Sequence, residues 1–111
     1  IIYNELRYRG YSVDVGVVEK REMSENGKQI RKALEIDFVA NLGSQRYYIQ
    51  SALSMPTPGK QIQEKTSLIN VADSFKKIII VKDIVNVKRD ENGIVTMSIY
   101  DFLLKENSLD L

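Results

Sequence analysis

The chain contains no cysteine and no histidine, and each absence removes a class of chemistry. Without them there is no zinc site of the Cys/His type, no thiol nucleophile and no triad with an imidazole base. Any catalysis must use carboxylates, lysine, tyrosine, hydroxyls or a hard cation on oxygen ligands. The lack of cysteine fits a reducing compartment. No apolar run approaches the length of a membrane span, and no basic-then-apolar leader is present. The expected location is therefore the cytoplasm, with no membrane partner. Charge of one sign is lacking too: 16 basic against 15 acidic residues give a formal +1. That balance gives no global signal for binding a phosphate backbone, so a basic patch would have to be assembled by folding.

What remains is ordinary globular material. The 111 residues, 43% hydrophobic and 28% charged, fit one domain spanning 1–111. Ile1 opens directly into a helical pattern with neither Met nor an N-cap residue ahead of it, so the chain is expected to be the C-terminal piece of a longer protein. Ile2, Leu6 and Arg9 share a helical stripe that Gly10 stops. Tyr11 to Glu22 alternates as a strand through Val13, Val15 and Val17. Asn26-Gly27 predicts a tight turn into a return strand from Gln29 to Leu42. There Leu34, Ile36, Phe38 and Ala40 are expected on one face. Gly43-Ser44 turns into a third strand, Arg46 to Leu53, and Pro56 and Pro58 place Ser54 to Gly59 in a loop.

Gln61 to Phe75 has helical spacing through Ile62, Leu68, Ile69 and Ala72. The run Ile78-Ile79-Ile80-Val81 reads as a strand buried on both faces, reached by a crossover that makes the sheet mixed. Asp90 to Gly93 predicts a turn, Ile94 to Ile99 a last strand and Tyr100 to Lys105 a terminal helical turn. The expected fold class is α/β, a mixed sheet in the order αβββαββ.

Three positions combine into a candidate site. Glu5 lies on the first helix, Asp37 late on the second strand and Gln50 within the third. A helix, a strand bearing Asp and a strand bearing Glu/Gln-x-Lys form the plan of metal-dependent nucleases of the PD-(D/E)xK type. Their acids hold Mg²⁺, and the Lys supports the attacking water and the developing charge.

The phrases Asn4-Glu5-Leu6, Arg9-Gly10-Tyr11, Glu35 to Ala40, Tyr47-Tyr48-Ile49-Gln50, Asp73 to Lys77 and Asp101-Phe102-Leu103-Leu104 carry the resemblance further. In this order, over nearly the whole chain, they resemble the C-terminal domain of unknown function of prokaryotic AAA-type ATPases. The resemblance implies a restriction-endonuclease-like core, with an ATP-binding ATPase domain upstream as partner. It assigns Glu5, Asp37 and Gln50 to the catalytic positions, with Asp37 and Gln50 facing any Mg²⁺. Ala52 stands where an active nuclease carries Lys, and Lys60 and Lys65 are candidates for a migrated amine.

The implied function is an accessory nuclease-fold domain without cleavage activity, serving nucleic-acid binding, protein binding or ATPase regulation. The alternatives are an active metal-dependent phosphodiesterase using Glu5, Asp37, Gln50 and a migrated Lys, and a pure protein-interaction domain. Plainer roles stand beside these. Asp37 can be a structural carboxylate, Glu5 a solvated helix residue and Gln50 a buried amide needing partners. Lys20, Arg21, Lys28, Arg31 and Lys32 are interleaved with Glu19, Glu22 and Glu25, as on a solvated hairpin. Lys76-Lys77 is expected at a helix C-terminus, where the dipole favours cations. Tyr3, Tyr8, Tyr11, Tyr47 and Tyr48 are expected mostly in the core and at its rim.

Overall fold

In a computed structural model, residues 2–52, 65–71, 73–82, 86–105 and 107–110 are described. Helix α1 (Ile2–Tyr8) is followed by β1 (Ser12–Met23), β2 (Gln29–Leu42) and β3 (Gln45–Ala52). A helical segment, α2 (residues 65–69), leads to β4 (Lys76–Val81), the two-residue β5 (Lys88–Arg89) and β6 (Ile94–Ser98). Helix α3 (Ile99–Leu104) and a 3₁₀ turn (Ser108–Asp110) follow. The strands form one sheet in the order β1-β2-β3-β4-β6-β5. β1 to β3 are antiparallel neighbours, β4 runs parallel to both β3 and β6, and β5 closes the far edge antiparallel to β6. The fold is therefore mixed α/β.

Two cores sandwich the sheet. On one face Ile2 and Leu6 of α1 and Phe102 of α3 pack against Ala40, Tyr47, Ile49, Ile78, Ile80 and Val95. On the other, Leu68 of α2 packs with Ile36, Val39, Tyr48, Ala52, Ile79 and Ile94. The apolar run of β4 alternates between these cores, as a strand covered on both faces must. Gly10, at φ +92°, ends α1. The Gly10 N–H donates to Arg7 and the Tyr11 N–H to the Leu6 carbonyl, which satisfies carbonyls the helix end leaves open.

Three expectations require correction. Leu34, Ile36, Phe38 and Ala40 do not share one face. The register against β1 steps from Asp14↔Val39 to Gly16↔Ile36, so β2 carries one extra residue there. This bulge reverses the alternation, sending Phe38 and Ala40 to the α1 face and Ile36 to the α2 face. Beyond it the hairpin leaves the core, and Val15 and Val17 are 68% and 66% exposed.

The second correction concerns the end of α2. Helix ends at residue 69, where the Asn70 N–H and side-chain amide both donate to the Thr66 carbonyl and the Val71 N–H to Leu68, and the Asp73 carboxylate then takes the Phe75 N–H ahead of β4. Lys76 and Lys77 therefore sit on a strand, not at a helix end. Ile69 is half-exposed, and the adjacent Leu68 is the buried residue of the segment. Third, β5 adds a strand to the expected order.

Leu53, the Pro56/Pro58 loop, Lys60, Ile62 and Ala72 lie outside the described residues, as do the side chains of Lys20, Arg21, Glu22 and Lys32. Of the remaining hairpin charges, Glu19, Glu25, Lys28 and Arg31 are exposed.

Candidate functional site

Pairing between β2 and β3 stops at Phe38↔Ile49. The next positions, Asp37 and Gln50, lie where the bulged strand bends away, and their side chains take over from the backbone ladder. Gln50 Oε1 accepts the Asp37 N–H at 2.8 Å, and Gln50 Nε2 donates to the Glu35 carbonyl at 3.1 Å. In return the Asp37 carboxylate accepts the Ser51 N–H at 2.8 Å. Each residue thus bonds the other strand's backbone, and the fork is closed by side chains. Gln50 is 1% exposed. Its amide supplies one acceptor and one donor to two backbone groups that would otherwise lose their partners in a dry setting.

The structure brings together two of the three candidate catalytic residues. Glu5 is placed elsewhere: α1 covers the sheet face opposite to Tyr48 and Ala52, the neighbours of Gln50 on alternate β3 positions. Glu5 forms an ion pair with Arg9 at 2.9 Å, beside Tyr8, Tyr11 and Leu103. Ala52 is buried in the α2-side core, so its methyl group packs against apolar neighbours.

The donor set at the fork does not fit Mg²⁺. Gln50 Oε1 and Asp37 Oδ2 already accept backbone N–H groups, and no group of three acidic side chains able to hold a metal occurs among the described residues. Mg²⁺ is held by one or two carboxylates with waters completing its octahedron, and the fork supplies a single carboxylate, one oxygen of which is already taken by the Ser51 N–H. Lys65, one candidate for a migrated amine, pairs with Asp90 at 3.3 Å. Burial would raise the Asp90 pKa, but the Ile94 and Asn92 N–H groups and Lys65 together hold it below the ordinary carboxylate value.

Two polar assemblies were not legible as such in the sequence. Arg9, read only as part of a helical stripe, donates to Ser108 Oγ, the Phe102 carbonyl and the Lys105 carbonyl, clasping α1 to the chain's last helix. At the start of β3 and β4, the Tyr48 hydroxyl donates to Asp73, and Lys77 Nζ donates to the Asp73 and Phe75 carbonyls at 2.9 Å each. The alternation of β3 places Tyr48 on the Gln50 face, but only the turn at Asp73 brings a carboxylate to it.

An uncharacterized protein of Haemophilus influenzae is 30% identical to this chain over 105 residues, a stretch covering 95% of the chain. The chain spans 22% of that relative's length. No family model matches the chain. No solved structure matches it either.

Proposed function

We propose that the chain is an accessory domain with a restriction-endonuclease-like core, attached to an AAA-type ATPase, in which the nuclease site has become structural. The domain binds nucleic acid or a protein partner, or regulates its ATPase, and does not cleave. One observation carries this reading: Asp37 and Gln50 converge at a strand fork, as catalytic carboxylates would, yet spend their polar atoms on backbone groups.

Ala52 supports it further, since a buried methyl offers the transition state neither charge nor donor. Loss of one such donor commonly costs about a hundredfold to a thousandfold in rate. The parallel β3–β4 pair that follows an antiparallel β1–β2–β3 meander suits a nuclease-type core. The ATPase connection rests on the resemblance of the short motifs, and a relative much longer than this chain is compatible with it. The active-nuclease alternative gains no support from Lys65, which is engaged by Asp90.

The test is incubation of the protein with single- and double-stranded DNA and RNA in Mg²⁺ or Mn²⁺. No cutting above background is expected. Robust cutting that disappears in Asp37→Ala would refute the proposal.

A further inference from the structure

The sheet ends in two unlike edges. At one end β5 offers only two residues, Lys88 and Arg89, both exposed and both charged. Short length and basic side chains are how folded proteins keep an edge from pairing with another chain. At the other end β1 runs for 12 residues without proline, and among the described residues no strand covers its outer side. The sequence of its second half is charged from Glu19 to Glu22, but Ser12 to Val18 carries a single charge, at Asp14.

The open half of β1 is apolar on one face. Val13 packs with the α1-side core and Val18 with the opposite one, so β1 keeps its alternation past the point where β2 carries an extra residue. Val15 and Val17 therefore lie on the same side as Val13, and both are exposed. Along Val13-Asp14-Val15-Gly16-Val17 the apolar spacing is the same in either direction.

That symmetry selects an occupant. An antiparallel copy of the strand, related by a two-fold axis at Val15, sets Val15 opposite Val15, Val13 opposite Val17 and Asp14 opposite Gly16. The three valines of each copy then share one face. Asp14 meets a residue with no side chain, and from Ser12 to Val18 no charge stands directly opposite another of its own sign. Moving the axis to Gly16 or Val17 instead puts Glu19 against Val13 or Val15.

We propose that β1 pairs with β1 of a second copy of this chain, antiparallel about Val15, and joins the two sheets into one. Such a pairing uses the same surface of both copies and leaves only the blunted β5 edges outside, so it closes at two chains. It does not rest on the nuclease-fold reading.

The chain has no cysteine of its own, so a single introduced thiol reports the register. Opposed residues of an antiparallel pair have Cα atoms about 4.5–5.5 Å apart, within the span of a disulfide. Val15→Cys is expected to give a linked dimer in glutathione buffer. Val17→Cys is not, because the two thiols would lie about 13 Å apart along the strands. Sedimentation equilibrium of the parent chain from roughly 10 to 500 μM should show the mass rising from monomer toward dimer. Val15→Lys, which sets two ammonium groups face to face, should weaken the dimer about tenfold or more. At the lowest concentration it should unfold in urea at the parent's midpoint, since Val15 is exposed in the single chain.

A parent chain that stays monomeric throughout, or a dimer indifferent to Val15→Lys, would overturn the proposal. So would cross-linking of Val17→Cys equal to that of Val15→Cys, the result of chance collision between exposed thiols. None of these outcomes bears on Asp37 and Gln50. Metal-dependent cleavage would sink the reading of the fork and leave the dimer standing.

Discussion

Arg9 meets Phe102 twice: its guanidinium carbon lies 5.0 Å from the centre of the ring, and Nη2 donates to the carbonyl of the same residue at 2.6 Å. Glu5 steadies the other edge of the guanidinium at 2.9 Å. Replacing Arg9 with Ala removes charge-assisted bonds and the packing of the stem together, so a loss of about 2–3 kcal/mol is expected in urea unfolding. Arg9→Lys should recover less than half of it, because one ammonium cannot keep the bonds to Glu5, Ser108, Phe102 and Lys105 that the forked guanidinium makes together. Full recovery by Lys would mean that only the charge matters.

Gln50→Leu tests the fork. It strips a partner from both the Asp37 N–H and the Glu35 carbonyl, and should cost about 2–4 kcal/mol, with faster hydrogen exchange at the Asp37 amide. Gln50→Glu supplies the acid that the proposed nuclease-like plan calls for but has no donor for the Glu35 carbonyl when ionised. It is expected to destabilise by a similar amount and to give no metal-dependent cutting. If Gln50→Glu proved as stable as the parent, the fork would be shown to tolerate a buried carboxylate.

Three tyrosines make stability depend on alkaline pH. Burial is the leading cause raising the pKa of Tyr11, Tyr47 and Tyr48 above 10.0, and Asp110 (for Tyr11 and Tyr47) and Asp73 (for Tyr48) raise them further. Their neutral forms are favoured by folding, so the unfolded chain gives up these protons first. The contribution is fully present below about pH 10 and is lost as pH rises above it, with a limiting slope of about 1.4 kcal/mol per pH unit for each tyrosine. Tyr47→Phe, which loses the hydroxyl that donates to Asp110 at 2.7 Å, should flatten the decline by one such slope in urea titrations between pH 9 and 11. An unchanged slope would refute the assignment.

Gly16→Ala probes the bulge. A Cβ built at Gly16 would lie 2.8 Å from Val39 Cγ2 and 3.2 Å from Ile36 Cβ, the two residues flanking the extra position in β2. The strands must part or the bulge must move, and a cost of about 1–3 kcal/mol is expected from thermal or urea unfolding. A neutral substitution would mean that the bulge shifts freely.

Much of the fold was legible because period and punctuation agreed. The span of β2 follows from its flanking turns, and the double-sided burial of β4 from an unbroken apolar run. The phase of β2 was not legible, since a bulge is an event between strands and leaves Leu34 to Ala40 looking like uninterrupted alternation. The end of α2 failed for a related reason: apolar spacing continued to Phe75 while Asp73 was already turning the chain. At the site, Asp37 and Gln50 could be paired by topology, but that Gln50 would satisfy β2's backbone depends on where the ladder stops.

The parallel pairing of β3 with β4 fixes an order of events during folding. The β1–β2 hairpin closes through the short turn at Ser24 to Lys28, a microsecond process by its length. The β3–β4 ladder forms only after the chain from Ala52 to Lys76 has returned across the sheet, with its ordering entropy spent before any contact repays it. Until that return is made, β3 presents one bare edge while its other is already paired. A nascent chain is therefore most vulnerable to intermolecular strand addition after the hairpin exists and before the isoleucine run docks.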